Sequence, residues 1–346
     1  MRKTRVCVLF GGKSEEYEVS LRSAYTVLRA IDIERFEIIK IGITRQGEWF
    51  LYEGENEQIL SGEWVKNDKN TPISVDFVEK CFTFGARRER PDVIFGVLHG
   101  AYGEDGRVQA LCELLEIPHI GASCASSALC MDKLLCKTVA MRELVPIVPF
   151  VAITRRELIE SGADYDFEGD VFVKPSTGGS SIGISHIRDK AHLPLAIDNA
   201  MRYSSTILIE RAIKGSECEV AVFELDGKIM VSEVGQISYK TDFYDYDAKY
   251  NSNSIKYKIP AKISEECRIL CQKYALKMFN ALGVTGLCRV DFFVSDEGEV
   301  YFNEVNSIPG FTEGSMYPML MARLGYDTTT LITTLIEQKT KNLVKD

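Results

Sequence analysis

The chain has 346 residues, more than one hydrophobic core usually serves, so two or three compact units are expected. Its 45% hydrophobic and 26% charged content excludes a disordered chain, and its formal net charge of -9 leaves no broad basic face for DNA or RNA. Phosphate groups must then be held by a few placed lysines and by metal. No apolar run approaches the roughly 18 residues of a membrane span, and the first apolar stretch stops at Gly11-Gly12, too short for a signal-peptide core. The ten cysteines include no C-x-x-C pair and mostly sit among apolar residues, as small hydrophobes of a reducing, cytoplasmic compartment do.

Arg5 to Phe10 reads as a short buried strand ending at Gly11-Gly12. From Ser20, taken as an N-cap, Leu21, Ala24, Leu28 and Ile31 recur at helical spacing. Ile38–Ile43 and Asp92–Leu98 supply two further strands. Strand, glycine turn, helix, strand is the pattern of a parallel α/β unit, whose ligands gather beyond the carboxyl ends of the strands. The loops Gly11–Glu18 and His99–Gly106 fall at such ends. Ala128 to Leu144 is expected to form one helix, ended by Val145-Pro146. Val171–Lys174, Gly183–Ile187 and Ile207–Glu210 read as short strands. Two hairpins follow, Glu219–Phe223 with Lys228–Val231 around Asp226-Gly227, and Arg289–Val294 with Glu299–Val305. The expected class is α/β, turning α+β in the C-terminal part, with an N-terminal unit at 1–125, a central one at 126–215 and a C-terminal one at 216–346.

The second hairpin carries the strongest chemical signal. Side chains alternate along a strand, so Arg289 and Asp291 share a face, as do Glu304 and Asn306. If Val294 pairs with Glu299, Asp291 and Glu304 become diagonal neighbours roughly 7–8 Å apart. Two carboxylates and an amide make the oxygen-rich site that Mg²⁺ prefers, and the adjacent Arg289 can clamp an oxyanion. The plain alternative is an exposed hairpin with surface charges. Against it stand Val290, Phe292, Val300 and Phe302, which demand burial, where unpaired carboxylates are costly. Upstream, Lys174 on a strand followed by Pro-Ser-Thr-Gly-Gly-Ser180-Ser-Ile-Gly183 suits phosphate: an ammonium at one edge and small residues admitting backbone N–H groups. Gly12-Lys13-Ser14 imitates the end of a Walker A loop, but Cys7 stands where its first glycine belongs. Glu18, just before the first helix, is a candidate for a substrate ammonium group, and His99 lies at a strand end with Glu104-Asp105 nearby. Phe243 to Tyr250, ending in Lys249-Tyr250, reads as a loop able to close over a site.

Seven segments in this order resemble the D-alanine–D-alanine ligases of the ATP-grasp superfamily over nearly the whole chain. They are Phe10–Leu21, Leu98–Gly106, Ser127–Lys133, Lys174–Gly183, Phe243–Tyr250, Arg289–Asp291 and Asn303–Pro318. The resemblance implies ATP between the central and C-terminal units, with Lys133, Lys174 and Lys249 on its phosphates. Glu210 to Ile213 would face the adenine and Glu217 the ribose, while Asp291, Glu304 and Asn306 would carry two Mg²⁺, with Mn²⁺ as a substitute. Glu18 would take the ammonium of the first D-alanine, His99 would sit beside its carboxylate, and Glu18, Ser180 and Tyr250 would form a hydrogen-bonded triad. Arg289 and the Gly310 N–H would stabilise the tetrahedral intermediate, and Ser315 and Met316 would receive the second carboxylate. The implied product serves peptidoglycan synthesis, and the implied assembly is a homodimer. Two departures concern the loops: Ser-Thr-Gly-Gly-Ser-Ser before Ile182, and Thr-Glu before Gly314-Ser315-Met316. Gly42 to Trp49 is also similar to the D-alanine–D-serine ligases of vancomycin resistance, which keeps D-serine as the alternative acceptor.

Overall fold

The computed structural model describes residues 2–162, 165, 167–239, 255–312 and 314–341; Lys249 and Tyr250 lie outside the described residues. Strand β1 (Thr4–Gly11) turns Val6, Val8 and Phe10 to one face and Cys7 and Leu9 to the other, all fully buried. A strand apolar on both faces belongs inside a covered parallel sheet. It pairs in parallel with β2 (Phe36–Ile43) and β8 (Val93–Gly96), and β3 (Trp49–Leu51) and β4 (Thr71–Pro72) complete the order β4-β3-β2-β1-β8. Strands β5 (Ser74–Asp76), β6 (Cys81–Phe84) and β7 (Arg87–Glu89) form a separate small sheet. Helix α1 (Tyr17–Ala30) and the short α2 (Asn56–Leu60) cover the Val6 face, and α3 (Arg107–Leu114) covers Cys7 and Leu9 through Val108 and Cys112.

Helix α1 starts three residues earlier than Ser20, with Glu16 at the N-cap position. Ser20 lies inside the helix, where its hydroxyl accepts from Gly11 N at 2.8 Å and donates to Val97 O at 2.6 Å, tying two strand ends together. The expected helix over 128–144 is two helices, α4 (Cys124–Met131) and α5 (Lys133–Arg142). Asp132 makes the break: its extended backbone ends one helix, and its carboxylate caps the next by accepting from Leu134 N and Leu135 N. Ser176 Oγ donates to the same carboxylate at 2.5 Å, and Lys133 N donates to Ser176 O at 2.8 Å. The first residue of α5, Lys133, is thereby held against the glycine-rich loop.

The central sheet has the order β11-β10-β12-β9, all antiparallel, from β9 (Phe150–Thr154), β10 (Val171–Pro175), β11 (Ser185–Ile187) and β12 (Thr206–Arg211). Helix α6 (Arg155–Ser161) follows β9, and α7 (Leu193–Ala200) covers the Val171–Val173 face. The C-terminal sheet runs β15-β14-β13-β16-β17 from β13 (Gly215–Leu225), β14 (Lys228–Tyr239), β15 (Ile255–Lys258), β16 (Leu287–Ser295) and β17 (Val300–Asn306). Asp226 and Gly227 both have positive φ (52° and 76°), the geometry a two-residue Asp-Gly hairpin turn requires. Helix α8 (Glu265–Ala281) covers one face, together with Cys130, Cys136 and Ala140 of α4 and α5. Helix α9 (Met316–Arg323) covers the other through Met316, Tyr317 and Leu320, and α10 (Thr328–Thr340) returns to the N-terminal sheet. No helix among the described residues is long and apolar enough to cross a membrane. All ten cysteines are free thiols.

Asp132→Ala removes a helix cap and the Ser176 contact together. It is expected to lower stability by about 1–2 kcal/mol, read as a lower urea midpoint; an unchanged midpoint would remove the cap from this account.

Candidate active site

A cleft of about 990 Å³ opens where the three sheets meet. Its floor is the β16–β17 hairpin. Val294 pairs with Val300 and Phe292 with Phe302, and then a bulge at Asn303 shifts the register. Asp291 thus faces Glu304 directly rather than diagonally, and Arg289 faces Asn306. Arg289 donates to both Asp291 oxygens, at 2.8 Å from Nε and 2.7 Å from Nη2, and Asn306 Nδ2 donates to Asp291 at 2.9 Å. Glu219, from β13, lies 3.1 Å from Arg289 Nε. Burial works against the charge on Arg289, but Asp291 and Glu219 together push its pKa well above the ordinary value. Glu304 is 3.5 Å from Lys133 Nζ. Among the described residues no three His, Cys, Asp or Glu side chains converge, so a metal would rest on two carboxylates and the Asn306 amide. Hard oxygen donors fit a hard divalent cation shared with phosphate oxygens.

Two lysines line the opposite wall. Lys133 Nζ donates to Gly178 O at 2.6 Å, and Lys174 Nζ lies 2.5 Å from Glu210 Oε2. The other Glu210 oxygen is 3.2 Å from Lys137 Nζ, a lysine with no solvent exposure that sequence reasoning missed. Its spacing, one helical turn after Lys133, was the available signal. Burial raises the Glu210 carboxyl pKa, yet Lys137 and Lys174 more than offset it and the net direction is down. Burial lowers the Lys137 pKa, with Glu210 opposing. Ile213 and Glu217 also line the cleft.

The N-terminal loops form the roof, and here one expectation is corrected. Glu18 points outward, about half exposed, and pairs with Arg45. Glu16, two positions earlier and so on the other side of the helix start, enters the cleft and accepts from Ser180 Oγ. A Cβ on Gly100 or Gly179 would fall 2.6 or 2.7 Å from Glu16 Oε2, so both glycines are needed for its close approach. Ser180 itself has φ +50°, in the left-handed region. His99 Nε2 meets Ser23 Oγ at 3.0 Å, and burial lowers its pKa. Glu104 accepts from Gly100 N at 2.9 Å and from Ile308 N at 3.1 Å, joining the roof to the loop that follows β17. That loop brings Gly310 beside Ser315, whose hydroxyl meets Thr312 Oγ1 at 2.7 Å. Ser315 stands at the N-cap of α9, and the Met316 side chain is buried against Gly235.

Comparison with known proteins places this geometry in a family. A model of the D-Ala D-Ala ligase N-terminus matches residues 5–122, and a model of the C-terminus matches 141–337. The chain belongs to the D-alanine–D-alanine ligase family. The D-alanine–D-alanine ligase of Caldicellulosiruptor bescii is 42% identical over 348 residues, covering 97% of this chain and 95% of that one. The vancomycin C-type resistance protein VanC1 of Enterococcus gallinarum is 37% identical, covering 96% and 97%. Among solved structures, the VanG D-Ala:D-Ser ligase from Enterococcus faecalis superposes with a TM-score of 0.87 at 38% identity, covering 98% of this chain and all of that one. The D-alanine–D-alanine ligase from Coxiella burnetii gives 0.84 at 30% identity, with 99% and 95% covered. The fold is the ATP-grasp fold of these ligases, a family that uses ATP and metal ions.

Burial, then Glu16, push the Glu104 carboxyl from 4.5 to about 8, although the Gly100 and Ile308 N–H groups and Arg289 act the other way. A raised native pKa means the folded protein keeps a proton that the unfolded chain has released. The stability this group gives is therefore full below pH 4.5 and lost as pH rises through about 8. The melting temperature of the ligand-free protein should fall across that window, and Glu104→Gln should flatten the fall. Parallel curves for the two proteins would contradict the protonated state.

Proposed function

We propose that the chain joins two D-alanines into D-alanyl-D-alanine with ATP, through a D-alanyl phosphate, in the cytoplasm, as a step in peptidoglycan precursor synthesis. The observation that carries this reading is the facing pair Asp291 and Glu304, with Arg289 and Asn306 beside them, in one cleft with Lys133, Lys174 and Glu16. The choice of D-alanine over D-serine as acceptor is supported by relatives at 40–42% identity named D-alanine–D-alanine ligase.

Asp291, Glu304 and Asn306 are assigned two Mg²⁺, with Mn²⁺ as a substitute; bound there, the ions supply positive charge to the phosphoryl oxygens. Lys133 and Lys174 hold phosphates from the opposite wall, joined by Lys249. The strand end from Glu210 to Ile213 faces the adenine, with the Glu210 carboxylate turned to Lys137 and Lys174, and Glu217 holds the ribose. Glu16, in place of Glu18, takes the ammonium of the first D-alanine, and His99 stands beside its carboxylate, with Ser180 and Tyr250 completing the triad. In the first step a carboxylate oxygen bonds to the γ-phosphorus and the bond to ADP breaks. In the second, the neutral amine of the other D-alanine bonds to the acyl carbon. Arg289 and the Gly310 N–H hold the oxyanion, then the carbon–oxygen bond breaks and phosphate leaves, taking up the proton the amine gives up. Ser315 and the Met316 N–H, at the start of α9, suit the second carboxylate. Water must be kept out, because it would hydrolyse the acyl phosphate. The proposed assembly, a homodimer, rests on the resemblance alone.

The test is product analysis by mass after incubation with ATP, Mg²⁺, D-alanine and D-serine. D-Alanyl-D-alanine is expected as the chief product. Absence of D-alanine-dependent phosphate release would sink the ligase reading, and a chiefly mixed dipeptide would reassign the acceptor. Glu16→Gln is expected to cut turnover on the order of 10- to 100-fold, while Glu18→Gln stays near the parent. The reverse pattern would restore Glu18 to the site.

A further inference from the structure

Lys137 has no part in the chemistry above, yet it is a fully buried ammonium in the middle of the molecule. Burying such a group is costly unless an opposite charge meets it. It sits on α5 one turn beyond Lys133, with Glu210 Oε1 at 3.2 Å and the Phe150 ring at 6.0 Å. Glu210, equally buried, holds Lys174 on its other oxygen at 2.5 Å. Helix α5 and strands β10 and β12 thus meet on one carboxylate shared by two ammonium groups. A lone Lys174–Glu210 pair would be neutral and closed on itself. With Lys137 present, the three groups carry a net positive charge, and Lys174 faces the cleft.

We propose that Lys137 is a positioning residue for the nucleotide phosphates: by neutralising Glu210, it leaves the charge of Lys174 available to a phosphate. This rests on the reading of Lys174 as a phosphate ligand. A lysine that merely fills space would support adenosine and ADP binding alike. One that acts by charge supports binding in proportion to the phosphates, because only they sense the field.

The experiment is calorimetric titration of the whole protein with adenosine and with ADP plus Mg²⁺. Lys137→Met should weaken ADP binding about tenfold or more and adenosine binding by less than about threefold. Adding Glu210→Gln to Lys137→Met should recover most of the ADP affinity, because Lys174 is released from its carboxylate. Lys137→Met alone keeps Lys174 and Glu210 as a neutral pair, so it stays informative if the double variant, which leaves the nearly buried Lys174 without its carboxylate, does not fold. Equal loss for adenosine and ADP, or no recovery in the double variant, would overturn the proposal. Lys174→Met separates the two levels. If it leaves ADP binding unchanged, the phosphate-site reading itself falls; if it weakens ADP while Lys137→Met does not, only the role of Lys137 falls.

Discussion

The Asp291 carboxylate, only 9% exposed and held by Arg289, is the contact on which the rest of the site depends. A buried carboxylate must be compensated, and here the compensation is built from three strands. Glu219 on β13 braces the guanidinium, Asn306 on β17 donates to the carboxylate, and Glu304 stands opposite. The bulge at Asn303 makes this possible, because without it Glu304 would face Val290 and point to the other side of the sheet. Arg289 pairs with Asp291 and Lys133 with Glu304. The same arrangement underlies the proposed chemistry, in which an ion brought with the nucleotide would take over the carboxylates and Arg289 would hold the developing oxyanion.

This floor is coupled to distant parts of the chain by short polar links. Glu104 ties the roof to Ile308, and Ser23 of α1 approaches both His99 and Phe311 N, the latter at 3.4 Å. The Phe311 ring packs edge-on against Phe95 of β8, at 5.7 Å between centroids. The loops that carry His99 and Gly310 are thereby held by one network. Asp132 and Ser176 do the same for Lys133 and the glycine-rich loop. Polar groups buried in such networks fix one geometry, since leaving any of them unsatisfied is expensive.

Much of this was legible in the sequence, and the misses have identifiable causes. The continuous apolar run of β1 and the period-2 pattern of the β16–β17 hairpin announced both sheets, and the Asp226-Gly227 turn was read correctly because its chemistry is local. Taking Ser20 as a cap places Glu18 just before the first helix. In the fold, that hydroxyl instead bridges Gly11 and Val97, so the helix begins earlier. The break at Asp132 was hidden because Ala128 to Leu144 keeps its helical character on both sides, and only the Ser176 contact repays the lost turn. The bulge at Asn303 has no signature in spacing. Lys137 went unnoticed because its partner, Glu210, is 73 positions away in sequence, and only the fold makes them neighbours.

The central claim is that these residues activate a carboxylate by phosphoryl transfer. The most direct measurement uses D-alanine carrying ¹⁸O in its carboxyl group, incubated with ATP and Mg²⁺, followed by mass analysis of the released phosphate. The account predicts that phosphate gains one labelled oxygen for each dipeptide formed, because the carbon–oxygen bond breaks when the amine displaces it. Dipeptide formed with unlabelled phosphate would contradict it.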